Sequence, residues 1–177
     1  PKNTKPSFFS VLLAGSVGWG DACSIVPYEM YRRYGDERIL SENYEMMKKW
    51  YAFLEERAKK LPVNPVKRFK RNPYRRYTIE TGVDYGEWCE PDVESTSAMR
   101  TPQGKVATAF FAYSGRMLAE IAAILGKEDD AAYYSKTAEM AKKAWRFTAT
   151  EDGKISSDRQ ADYVRALAFG LLDGDEA

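Results

Sequence analysis

Two short stretches set a tryptophan, an acid and a glycine side by side: Gly18-Trp19-Gly20-Asp21 and Tyr85-Gly86-Glu87-Trp88. An indole offers a flat apolar face that packs on the C–H face of a pyranose, and a carboxylate accepts hydrogen bonds from vicinal hydroxyls. Two such pairs on one rim would make a carbohydrate subsite, with Trp19 and Trp88 as platforms beside Asp21 and Glu87. The glycines flanking Trp19 let its backbone come close to a partner. The plainer alternative is that both tryptophans pack in the core or its loops and both acids cap helices.

Composition narrows the remaining chemistry. The chain has no histidine, which removes the commonest metal ligand, the usual general base and any Ser–His or Cys–His nucleophile pair. Two cysteines cannot make a zinc site. Cys23 and Cys89 each adjoin one of the two motifs, but a free cysteine is most often a small buried hydrophobe, so no disulfide is expected. No metal and no cofactor is expected, and any chemistry rests on carboxylates, hydroxyls and aromatics. Lys plus Arg number 27 against 26 acids, a net charge of +1, which argues against a dedicated polyanion binder. The stretch VKRFKRNPYRR, residues 66–76, interleaves bases with Phe69 and Tyr74, a pattern suited to single-stranded nucleic acid. With the whole chain near neutrality, it reads instead as a solvated insertion whose stems lie over aromatic neighbours, and no nucleic-acid partner is expected. No apolar run reaches membrane-spanning length and no signal-peptide pattern opens the chain, so no membrane partner is expected either.

The positioning elements are helices. Ser24 predicts an N-cap for a helix over 25–34 that Gly35 ends, with Pro27 in its first turn. Leu40, Tyr44, Met47, Tyr51 and Leu54 recur at three- and four-residue steps and predict a helix over 37–60. Residues 61–104 are proline-rich and irregular, with a short strand suggested around Ile79, Val83 and Tyr85. A loop of this length is often functional. Thr101-Pro102 opens a helix over 102–125, whose face holds Ala107, Phe110, Phe111, Ser114, Leu118, Ile121 and Leu125. A fourth helix over 128–147 carries Tyr134, Ala138, Ala141 and Trp145, and TEDGK makes a tight turn. Ser157 and Gln160 read as a capping box opening a fifth helix to Leu172. The class is all-α, built from antiparallel hairpins. If the hairpins stack side by side, the loops entering the first, third and fifth helices open on one rim. The two motifs and the SSDRQAD segment then converge, adding Asp158 and Gln160 as weaker candidates.

The run GWGDACSIVPYEMYRRYGDERILSENYEMMKKWYAFL resembles the catalytic domain of bacterial α-L-rhamnosidases. In that family a Gly-Trp-Gly-Asp-Ala loop opens an inner helix and a YGD-R-L-ENY--MKKW run forms the return helix. YGEW is similar to the family's Tyr/Phe-Gly-Asp-Trp, with Glu87 in place of Asp. KVATAFFAYSGRMLAEIAAILGKEDDAAYYSKTAEMAKKAW resembles the hairpin that follows, and SDRQADYVRALAFGLL resembles the next inner helix with altered polar positions. The likeness spans residues 17–172 except 61–80, which read as an insertion.

The resemblance implies a six-hairpin α/α toroid, with residues 1–177 a single partial catalytic domain and 61–104 a long loop within it. It implies hydrolysis of terminal, non-reducing α-L-rhamnose with inversion, by an acid and a base about 6.5–9.5 Å apart. In the family those two groups lie upstream of the Gly-Trp-Gly-Asp loop and in the later part of the toroid. No catalytic residue is therefore expected here. By the same match Trp19, Asp21 and Trp88 line the rhamnose pocket and Glu87 lies near it, touching sugar or only bracing the loop. The partner is a rhamnose-containing glycoside. Two other readings remain: a non-catalytic helical-hairpin scaffold that binds a partner on its concave face, and another six-hairpin glycosidase or lyase. The chain lacks an initiator Met and ends at LLDGDEA, so it is expected to be a piece of something longer. Apolar residues Tyr163, Leu167 and Leu171 should then lie bare at a cut edge and favour a homodimer.

Overall fold

The computed structural model describes residues 14–62, 71–87 and 103–172. Helices α1 (Ala22–Tyr34), α2 (Arg38–Lys59), α3 (Gly104–Ile124), α4 (Glu128–Ala149) and α5 (Gln160–Ala168) carry the fold. A 3-10 turn, Arg75–Tyr77, interrupts the long connection, and β1 (Thr150–Glu151) pairs antiparallel with β2 (Lys154–Ile155). Asp152 and Gly153, at φ 50 and 78, form the two-residue turn between them. Trp88, Cys89 and the Thr101-Pro102 pair lie outside the described residues, as do residues 66–70 of the basic stretch.

The stripe of α2 buries as its spacing predicts: Leu40, Tyr44, Met47, Tyr51 and Leu54 all face the core. That stripe then ends on a charge, Arg57, which is 5% exposed. Helix α3 is buried almost all round, from Val106 to Ala122, because α1, α2 and α4 surround it. Glu128, Asp129 and Asp130 fill the first turn of α4, where the helix dipole favours acids. The hairpins α1–α2 and α3–α4 lie side by side. Helices α2 and α4 meet through Tyr51 on Tyr134, edge-on at 5.3 Å, and through the Tyr44 hydroxyl, which donates to Asp130 at 2.8 Å.

Several boundaries differ from expectation. Helix α1 starts at Ala22, before Ser24, because the Gly18–Asp21 turn is already wound: the Gly20 N–H donates to the Ser16 carbonyl, and those of Ser24 and Ile25 to Asp21, each at 2.9 Å. Ser24 is buried within the helix, and Pro27 falls in the second turn. Helix α5 starts at Gln160, and the Ser157 hydroxyl accepts the Arg159 N–H in place of a capping box. It stops at Ala168. There Gly170, at φ 62, lets Leu171 N–H reach the Ala166 carbonyl at 2.9 Å and its own N–H reach Leu167. That turn folds Leu171 into the core at 1% exposure, so of the expected bare edge only Tyr163 and Leu167 are exposed. No strand forms at 79–85 among the described residues. The Ile79 N–H donates instead to the Thr108 hydroxyl at 3.0 Å.

Helix α2 crosses α3 closely where Tyr51 meets Gly115. A Cβ on Gly115 would lie 2.3 Å from the Tyr51 hydroxyl, which is buried without a hydrogen-bond partner. Gly115→Ala should therefore destabilise by about 1–3 kcal/mol. Tyr51→Phe should cost little, since it removes an orphaned polar atom, and should partly rescue Gly115→Ala. Urea melts of the two single variants and the double variant check this; strict additivity would contradict it.

Candidate functional site

Trp19 stands at the tip of the loop before α1 and is 61% exposed. Its ring leans on Tyr85, with centroids 4.9 Å apart and planes at 41°. The two motifs expected on one rim therefore touch. Glu87 pairs with Arg165 in the last turn of α5, which also bonds Asp162 at 2.8 Å, so the second motif is tied to α5. Asp158 and Gln160, beside that turn, are exposed.

Two buried carboxylates hold the Trp19 loop. Asp21 is 0% exposed. Its Oδ1 accepts from the Trp50 indole N–H at 2.9 Å and from the Ser114 hydroxyl, and its Oδ2 accepts the Gly18 N–H at 2.7 Å. These donors come from α2, α3 and the loop itself, so one side chain locks three segments. Gly20 makes this possible: a Cβ there would lie 2.1 Å from the Trp50 ring.

The second carboxylate is Asp84, 5% exposed. It takes both terminal nitrogens of Arg57, at 2.9 and 2.8 Å, and the Val17 N–H at 2.7 Å. Arg57 also donates to the carbonyls of Gly15, at 3.1 Å, and Thr81. The Ser16 hydroxyl accepts the Tyr85 N–H at 3.1 Å. Removing one partner of such a buried, hydrogen-bonded pair costs about 3–5 kcal/mol, because it strands the other charge.

Sequence reasoning named Trp19, Asp21 and Glu87, and the structure brings the loops that carry them together. It places Asp21 beneath the platform, with both oxygens engaged by the protein's own donors, and it places Glu87 against Arg165. Arg57, Asp84, Trp50, Ser114 and Arg165 escaped the motif reading. Two of them left a signal. Arg57 continues the apolar stripe of α2 by one step of three, and Ser114 interrupts the apolar face of α3. Cys23 is a partly buried free thiol whose pKa burial pushes up, which disfavours the thiolate. Among the described residues no group of His, Cys, Asp or Glu could hold a metal ion, and no helix is long and apolar enough to cross a membrane.

Six-hairpin glycosidases are the class that this hairpin stacking and loop rim fit. A sequence model described as the bacterial alpha-L-rhamnosidase 6 hairpin glycosidase domain matches residues 2–177, and the chain belongs to that family. It is 34% identical over 160 residues to an alpha-L-rhamnosidase of Formosa agariphila, a match covering 89% of this chain and 15% of that protein. It is 31% identical to one of Streptomyces avermitilis, over 89% of this chain and 13% of that protein. A crystal structure of Streptomyces avermitilis alpha-L-rhamnosidase complexed with L-rhamnose superposes with a TM-score of 0.67 at 29% identity, over 90% of this chain and 13% of that one. Native Aspergillus terreus alpha-L-rhamnosidase shares the fold, with a TM-score of 0.68 at 24% identity, over 91% of this chain and 17% of that one. The chain thus spans only a small part of the length of its relatives.

The Asp21 network carries a pH signature. Burial pushes its carboxyl above the usual 3.8, opposed by hydrogen bonds from Ser114, Trp50 and Gly18. The folded state then holds the proton more tightly than the unfolded chain does. This group's contribution to stability is fully present below 3.8 and is lost as pH rises through the raised folded value. Thermal melts of the wild type and Asp21→Asn in a pH series should give a difference curve that falls above 3.8 and then levels. A flat difference curve would mean that the donors fully offset the burial.

Proposed function

We propose that the intact protein containing this chain is a glycoside hydrolase that removes terminal, non-reducing α-L-rhamnose with inversion. Family membership over residues 2–177 is the observation that carries this reading. The half-exposed Trp19 beside Tyr85 supports it, as an aromatic surface free to take the C–H face of a sugar. In this reading Trp19 and Trp88 are the platforms of the rhamnose pocket. Asp21 acts from below, fixing the height of Trp19, and Glu87 braces its loop through Arg165. The catalytic acid and base are supplied by segments outside these 177 residues, protonating the leaving oxygen and activating water respectively.

Two outcomes follow. The intact protein should hydrolyse an aryl α-L-rhamnoside, whereas the 177-residue chain alone should not do so above background. Turnover by the isolated chain, abolished by Asp21→Asn, would overturn the assignment of acid and base. In the intact protein Trp19→Ala should weaken rhamnose binding by about 1–3 kcal/mol, the scale of one buried aromatic face. Calorimetric titration reads the loss, and circular dichroism should stay helical because Trp19 lies in a loop. A variant that loses its cooperative melt but still binds rhamnose at wild-type strength would make Trp19 a packing residue.

A further inference from the structure

We propose that Arg57 is a positioning residue for sugar binding: its buried pair with Asp84 clamps the foot of the Trp19 loop to the Tyr85–Glu87 loop and so sets the angle of the platform. The inference rests on the rhamnose reading only for its kinetic arm. Arg57 is itself buried, at 5% exposure, and so offers a sugar almost no surface. Its contacts are nonetheless distributed across the two loops that make the rim. One terminal nitrogen reaches Gly15, the other reaches Thr81, and both reach Asp84. Asp84 passes the constraint on by accepting the Val17 N–H, two residues before Trp19 and next to Tyr85 in sequence.

Two independent features show how closely the chain is shaped around this guanidinium. Gly82 has φ +85, and a Cβ there would lie 2.5 Å from the Arg57 terminal nitrogen. The Arg57 Nε hydrogen is buried without a partner, so the side chain gives up one hydrogen bond to place its two terminal nitrogens. A generic helix-to-loop brace needs neither. A planar fork spanning two backbone carbonyls and one carboxylate fixes both distance and twist, which a lysine, as a point charge, cannot do.

The test uses the intact protein labelled with 5-fluorotryptophan, the Trp19 fluorine resonance being assigned by its loss in Trp19→Phe. Arg57→Lys should shift or broaden that resonance. It should raise KM for an aryl α-L-rhamnoside about tenfold while kcat stays within about threefold. Asp84→Asn should do the same. If Arg57→Lys gives no cooperative melt, Ser16→Ala takes its place, because it deletes only the acceptor of the Tyr85 N–H and should move both readouts in the same direction by less. An unchanged Trp19 resonance with unchanged KM in a folded variant, whatever its melting temperature, overturns the proposal. If the wild type shows no response to L-rhamnose but the Trp19 resonance moves in Arg57→Lys, the clamp stands and the substrate reading fails.

Discussion

An indole can hold one face to solvent at a fixed angle only if the backbone beneath it is fixed, and two buried carboxylates supply that constraint here. Asp21 grips the far side of the Trp19 loop through donors from α2, α3 and Gly18. Asp84, paired with Arg57, grips the near side. Both groups sit where water cannot screen them, so each interaction is strong and each is costly to break. At Asp21 desolvation outweighs the three donors, which is why its pKa rises. The loop is thus held at some cost in stability, as expected of a functional loop on a rigid scaffold.

The scaffold explains why the donors are where they are. Helix α3 runs between α1, α2 and α4, so a small polar residue on its inner face, Ser114, can reach the loop that opens α1. Helix α2 runs back towards that loop and presents Trp50 to Asp21 and, two turns later, Arg57 to Asp84. Helix α5 closes the arrangement by offering Arg165 to Glu87. Phe169, just beyond α5, stacks on Tyr113 at 4.2 Å and meets Phe110 edge-on, so the two inner helices share one aromatic seam. That seam anchors the end of α5 on α3.

The helices were legible in the sequence because core burial imposes a three- to four-residue period, and Leu40 to Leu54 follow it without exception. Their ends were less so. Ser24 and Ser157 have the chemistry of N-caps, but the wound turn before Ser24 places it inside α1, and Ser157 closes a local turn with Arg159 instead. The turn at Gly170 depends on a backbone conformation that periodicity does not encode. The rim was deducible from connectivity alone, and the Trp19–Tyr85 contact agrees with it. The roles of the acids were not. Whether a carboxylate beside a tryptophan faces sugar or protein depends on donors 29 and 93 residues away, and only the folded chain brings Trp50 and Ser114 to Asp21.

A crystal structure of the intact protein with L-rhamnose bound would test most directly whether Asp21 holds the loop or the sugar. The pyranose C–H face should lie on the Trp19 indole, with Asp21 still accepting from Trp50, Ser114 and Gly18 and no sugar oxygen within hydrogen-bond distance of it. A sugar hydroxyl bonded directly to the Asp21 carboxylate, with Trp50 or Gly18 released, would contradict it.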